Sequence, residues 1–91
     1  MRVQWTSKAA SDLQRLHQFL AVSNKPVAAR VVKTLTAAAG KLGGNPRIGE
    51  RLEEFEPGEV RRLLVSHYEL RYEIAGESLY ILRIWHTREQ R

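Results

Sequence analysis

The sequence predicts an α+β fold of order β-α-α-β-β-β, with a helical hairpin packed on one face of a small antiparallel sheet. Apolar residues recur at helical spacing through the first half of the chain, and the period changes to two after Arg51. A short polar link, Ser23-Asn24-Lys25-Pro26, joins the two helical stretches closely enough to make them antiparallel neighbours.

Arg2-Val3-Gln4-Trp5 alternates polar and apolar and predicts a short strand with Val3 and Trp5 inward. Thr6 or Ser7 follows as an N-cap whose hydroxyl accepts from an unpaired first-turn amide. Ala9, Leu13, Leu16 and Leu20 then mark one face of an amphipathic helix, with Lys8, Asp12, Arg15 and Gln18 expected in water. Asn24 caps the second helix, and Pro26 sits in its first turn, where no amide bond is lost. Its apolar stripe is Val27 or Ala28, Val31, Leu35, Ala38 and Leu42, and Gly43-Gly44-Asn45-Pro46 ends it with a glycine available for a left-handed terminal residue.

Leu52 to Phe55 is read as a short edge strand, Pro57-Gly58 as a turn and Val60 to Val65 as a strand. Tyr68 to Ile74 alternates apolar with charged residues, Ala75-Gly76-Glu77 turns the chain, and Ser78 to Trp85 is apolar enough to be central. With helices on one face, Tyr68, Leu70, Tyr72 and Ile74 point toward them, whereas Glu69, Arg71 and Glu73 point away. Arg83 lies in phase with Leu79, Ile81 and Trp85, and is expected to share the uncovered face with Arg71.

The 91 residues predict a single domain, 1–91, with a modest core, since a chain this short buries only roughly 60–65% of its unfolded surface. An apolar fraction of 43% and a charged fraction of 27% exclude a disordered polyelectrolyte. No uncharged stretch approaches the ~20 residues of a membrane span, and the opening residues do not read as a signal peptide, so a cytoplasmic protein without membrane contact is expected. The absence of cysteine removes disulfides, thiol nucleophiles and most structural zinc sites. Net charge is +5 and uneven: residues 1–50 carry eight Lys/Arg against two acids, and residues 51–91 seven Arg against eight Glu. Such a balance favours an acidic protein partner, nucleic acid, or both, the alternative being a solvated surface that aids solubility.

Few residues offer chemistry. His17, His67 and His86 show no ligand spacing and no acidic companions, so neither a metal nor another cofactor is expected. A histidine side chain can serve as acid or base near neutrality, but a capping or hydrogen-bonding role at a strand end accounts for His86 more simply. Arg61 and Arg62 are strand neighbours that point to opposite faces and cannot act as one clamp; one of them is expected to pair with Glu53, Glu54 or Glu59. Trp5 and Trp85 could stack bases, but a core with so few aromatics is expected to claim them.

Four segments, in order, resemble the ParE/RelE toxin superfamily and together span nearly the whole chain. They are Val3-x-Trp5-Thr6 with Ala9-x-x-Asp12-Leu13; Leu42-x-x-x-Pro46-x-x-Gly49; Val60-Arg61-x-Leu63-x-Val65-x-x-Tyr68-x-Leu70-x-Tyr72; and Ile81-Leu82-Arg83-Ile84-Trp85-His86-Thr87-Arg88. The resemblance implies a toxin kept silent by a cognate acidic, ParD-like antitoxin lying across the helical hairpin. Leu16, Leu20, Arg30, Val31, Lys33, Leu35 and Lys41 are the expected contacts. RelE-like members of the superfamily cleave messenger RNA on the ribosome, and ParE-like members poison DNA gyrase. In the RelE-like pattern an arginine follows the tyrosine of the third segment; here the residue is Glu69, and no lysine occurs after Lys41. Only Arg88 matches a RelE-like catalytic arginine by position. The resemblance is therefore to the ParE-like branch, with gyrase as expected target and DNA met through gyrase. Arg71, Arg83, His86, Arg88 and Arg91 are the target-contact candidates, and none is assigned a catalytic role. The alternatives are a RelE-like endoribonuclease and a non-toxic basic nucleic-acid-binding module.

Overall fold

The structure, a computed structural model, describes residues 1–89. In chain order it comprises β1 (Arg2–Trp5), α1 (Ser7–Ser23), α2 (Lys25–Lys41), β2 (Glu50–Arg51), a 3-10 turn (Glu53–Phe55), β3 (Glu59–Val65), β4 (Tyr68–Ala75) and β5 (Ser78–His86). One five-stranded sheet runs β1-β5-β4-β3-β2, and the helical hairpin covers one of its faces. Three pairings are antiparallel, but β1 lies parallel to β5: the two helices carry the chain from β1 to the far edge at β2, and β3, β4 and β5 then step back across the sheet to meet β1. The sheet is therefore mixed. β5 is internal, between β1 and β4, as its apolar run predicts.

Local signals place both helices. The Thr6 hydroxyl accepts from Ala9 N–H at 3.2 Å, and Asn24 Oδ1 accepts from Val27 N–H at 3.1 Å with Pro26 in the first turn. The helix exit differs from expectation. Neither Gly43 nor Gly44 is left-handed; Gly43 is needed because a Cβ there would lie 2.9 Å from the Met1 carbonyl oxygen. Past this exit, the Tyr72 hydroxyl donates to Pro46 O (2.7 Å) and accepts from Gly49 N–H (3.0 Å). A Cβ on Gly49 would come within 2.6 Å of both that hydroxyl and Arg62 O. The proline and glycine of the second segment thus seat a loop on one buried phenol.

The edge strand is Glu50–Arg51 rather than Leu52 to Phe55. Leu52 is buried, its N–H bonding Val60 O (2.8 Å), and the chain then turns through the 3-10 segment and a cis Glu56–Pro57 peptide. That turn covers one end of the face opposite the helices. Gly76 takes the left-handed position between β4 and β5, with φ 61°.

The core lies between hairpin and sheet: Ala9, Leu16, Leu35, Ala39 and Leu42 against Leu70, Tyr72, Ile74, Leu79, Ile81 and Ile84, with Val3 and Trp5 at its margin. The expected phase of β5 does not hold along its whole length. Leu79 and Ile81 face the helices, but a bulge at Leu82 reverses the alternation, so Ile84 faces the helices while Arg83 and Trp85 face away. Arg71 and Arg83 are then direct cross-strand partners on the face without helices. They share it as expected, for a reason that alternation alone does not supply.

Asp12 departs furthest from expectation. Placed in water by the helical wheel, it is 6% exposed. β1 ends at Trp5, which leaves the outer edge of β5 without a strand partner beyond Ile81. The start of α1 takes over. The Thr6 hydroxyl donates to Ile81 O (2.8 Å) and Leu82 O (3.2 Å), and Asp12 Oδ2 accepts from Ile84 N–H (2.9 Å) and Arg83 Nε (2.8 Å). The residue is polar because it satisfies a sheet edge, not because it meets solvent.

Candidate functional site

Two surfaces merit separate description. On the face away from the helices, the register sets Arg62 opposite Arg71 and Arg71 opposite Arg83, a row of three guanidinium groups across β3, β4 and β5. Like charges in this arrangement repel, and each is answered by a carboxylate. Arg62 Nε donates to Glu50 (2.8 Å), Arg71 Nη2 to Glu69 (2.8 Å), and Arg83 to both oxygens of Asp12 (2.8 and 3.2 Å). The bonds to Glu50 and Asp12 push Arg62 and Arg83 up from the ordinary arginine value, so both remain charged.

Glu69, 1% exposed, sits beneath Arg71 and also lies 3.8 Å from Arg62. The Trp85 ring is buried among these groups, with Arg71 4.7 Å and Arg83 5.0 Å from its centroid, and Phe55 meets Arg71 from the other side at 5.5 Å. Arg71 Nε is buried without a hydrogen-bond acceptor, and the guanidinium carbon lies over both rings. Trp85 is thus buried as expected, but under arginines rather than in the main core. Arg61 points the other way, donating to Glu59 (2.9 Å) and Gly49 O (2.7 Å). The expected separation of the Arg61-Arg62 pair and the pairing with Glu59 both hold.

The second surface is on the hairpin. A groove of about 600 Å³ runs between α1 and the end of β5, lined by Leu16, Phe19, Leu20, Tyr68, His86 and Arg88 among others. A smaller one, about 230 Å³, lies between α2 and the end of β3, lined by Val27, Arg30, Val31, Leu35 and Val65. Tyr68 borders both; burial pushes its phenol up from the ordinary value, which keeps it neutral. Phe19, which lines the larger groove, is 74% exposed, and Val22, one turn further along α1, is 88% exposed. Two adjacent large apolar side chains in water mark an interaction surface.

The expected antitoxin contacts divide accordingly. Leu16 and Leu35 belong to the core and form groove floors, Leu20 and Val31 are half-buried on the walls, Arg30 stands at a rim, and Lys33 and Lys41 are exposed on α2 but line neither groove. Phe19 and Val22 were absent from that set. The available signal was their position off the apolar stripe, where a large hydrophobic residue has no folding role. Of the target-contact candidates, Arg71 and Arg83 come together on the sheet, whereas His86 and Arg88 border the groove beside α1. Arg91 lies outside the described residues. His86 Nδ1 accepts from Arg88 N–H (3.1 Å), and its ring meets Tyr68 edge-on at 5.3 Å, the strand-end role expected of it. His17 and His67 are exposed, and no group of three metal-ligating side chains occurs among the described residues.

Charge separates the two surfaces. Arg47, Arg51, Arg61, Arg62, Arg71 and Arg83, all beyond the hairpin, each have a carboxylate at 2.8 to 3.3 Å. Lys8, Lys25, Arg30, Lys33 and Lys41 on the helices have none within 4 Å among the described residues; on the hairpin only Arg15 is paired, chiefly with Glu89 at 3.2 Å. The excess positive charge therefore sits on the same layer as the exposed apolar groups.

Two grooves that share Tyr68, with Arg30 at the rim of one and Arg88 of the other, beside a sheet whose arginines are already paired, define a small α+β protein with a surface suited to receiving another macromolecule. The profile of the ParE toxin of type II toxin-antitoxin systems, parDE, matches residues 3–91, and the chain belongs to this family. A solved structure described as the chromosomal ParDE TA system from P. aeruginosa superposes with a TM-score of 0.80 at 27% identity, covering 94% of this chain and 95% of that one. A comparison with curated proteins gives no match. No described helix is long and apolar enough to cross a membrane.

Proposed function

We propose that this ParE-type toxin acts in the cytoplasm by binding and inhibiting DNA gyrase, without chemistry of its own, and that an acidic ParD-like antitoxin silences it by occupying the hairpin grooves. The observation that carries the first half is the pairing of the sheet arginines. Metal-free RNA cleavage needs a base, an acid and cations free to meet a phosphate. Here Arg62, Arg71 and Arg83 are each held by a carboxylate, and the negative charge of Glu69, buried beneath Arg71, already offsets the cation a phosphate would need. This arrangement favours a contact surface over a reaction centre. The second half is supported by Phe19, Val22 and Tyr68 beside Arg30 and Arg88: apolar anchors with a cationic rim suit an amphipathic, acidic segment.

Purified toxin added to gyrase and supercoiled plasmid is expected to block supercoiling or trap linear DNA while leaving ribosome-bound transcripts whole. Cut transcripts with unaffected gyrase would instead establish the RelE-like alternative. The antitoxin half is tested by co-purification with the product of an adjacent reading frame encoding a small acidic protein.

A further inference from the structure

The cations of α2 fall into two groups, and only one belongs to the grooves. Arg30 stands at the rim of the groove beside β3, whereas Lys25, Lys33 and Lys41 are exposed and line neither groove. At about 100° per residue, Arg30, Lys33 and Lys41 fall within about 80° of arc, on the side of α2 opposite the buried Ala28, Leu35 and Ala39. The helix contains no acidic residue, and none of these three cations has a carboxylate partner among the described residues. Between and beside them the surface offers only Ala29, Thr34, Thr36, Ala37 and Gly40, and a Cβ on Gly40 would meet nothing within 4 Å. The face is smooth, open, uniformly positive and without any large apolar side chain.

We propose that this outward face of α2 is a binding surface for the phosphate backbone of duplex DNA, adjoining the grooves that take a protein partner only at Arg30 and reaching beyond them through Lys33 and Lys41. An acidic protein partner gains little from a cationic face that offers no apolar anchor, since binding energy concentrates in desolvated apolar and aromatic contacts. A duplex needs no such anchor; neutralising phosphates and releasing their counterions supplies the affinity. Single strands are disfavoured because the face has no aromatic side chain on which bases would stack. Arg30 to Lys41 spans about 16 Å of helix axis, along which a B-form duplex presents roughly nine phosphates, ample for three contacts. The surface reads no sequence, since three isolated cations on a smooth helix offer nothing directed at base edges. This inference does not depend on gyrase being the target.

The test is fluorescence anisotropy of the full chain with a labelled 20-base-pair duplex of arbitrary sequence, titrated at several salt concentrations. Three phosphate contacts predict a slope of log K against log salt of about −2.7, so affinity falls about 40-fold between 50 and 200 mM. Lys33→Gln with Lys41→Gln is expected to reduce the slope to about −0.9 and that fall to roughly fourfold, with the helical circular dichroism unchanged. Phe19→Ser, in the groove, is expected to leave the slope as it was. The proposal is overturned by any of three results: no duplex binding at 50 mM salt, a slope unmoved by the double substitution, or a polyglutamate peptide or the single strand binding as tightly as the duplex. If Lys33→Gln and Lys41→Gln unfold the chain together, each alone is expected to lower the slope by about one.

Discussion

Replacing Asp12 with alanine removes the group through which α1 completes the sheet. Three bonds vanish: those from Ile84 N–H, Arg83 Nε and Arg83 Nη2 to the carboxylate. The Ile84 amide is buried between α1 and the strand edge, so leaving it without an acceptor costs about 1–3 kcal/mol. The Arg83 side chain is 37% exposed and can rehydrate, so its share is much smaller than the 3–5 kcal/mol typical of stranding a fully buried charge. The expected total is about 2–3 kcal/mol, and at roughly 4–8 °C per kcal/mol for a domain of this size the melting temperature falls by about 10–20 °C. Asp12→Asn, whose amide oxygen still accepts from Ile84 N–H, is expected to lose about half as much. Thermal and urea unfolding followed by circular dichroism, with emission of Trp85 in a Trp5→Phe background, measures both quantities. Asp12→Ala melting within 3 °C of the parent chain would refute the account of the β5 edge, as would an asparagine variant no better than alanine.

Further outcomes follow from the same structure. Gly49→Ala drives a methyl group into Arg62 O and the Tyr72 hydroxyl and is expected to cost about 3 kcal/mol; unchanged urea stability would contradict it. Tyr72→Phe strips both bonds from the 46–49 loop, costing about 1–3 kcal/mol and speeding amide exchange at Gly49. The Glu59 carboxyl is held below its ordinary value of 4.5 by hydrogen bonds from Arg47 and then Arg61. Its stabilisation is therefore full above the unfolded value and lost as pH falls through the depressed folded value. The deficit of Glu59→Gln against the parent chain should be largest near neutrality and shrink below pH 4.5, and a deficit constant from pH 7 to 3 would rule this out. Phe19→Ser, at a solvated position, should leave melting within 2 °C while weakening antitoxin binding at least tenfold in calorimetry.

Element order, both helix caps, the hairpin and the tight β4–β5 turn were legible in the sequence because each rests on local signals: a hydroxyl or amide cap, an apolar stripe, a left-handed glycine. Arg71 and Arg83 were legible as neighbours on the uncovered face, but by an alternation that the bulge at Leu82 interrupts; a bulge leaves no mark in a strand of nearly continuous apolar residues. Asp12 was misplaced because a helical wheel sees only the helix, and the group that claims its carboxylate is an amide 72 positions away. Arg62 was set aside as a strand neighbour of Arg61, yet cross-strand register makes it the third member of the arginine row. The charge imbalance between the halves was plain from composition. That every guanidinium of the row had already found a carboxylate was not, because pairing depends on which side chains three strands bring together.

The division of labour between hairpin and sheet is tested most directly by hydrogen–deuterium exchange of the toxin with and without its acidic partner. Protection is expected in the second half of α1, in α2 around Val27 to Val31 and at Val65 to Tyr68, with β3 and β4 around Arg62 and Arg71 unaltered. Protection centred on Arg62, Arg71 and Trp85, with α1 and α2 unchanged, would contradict it.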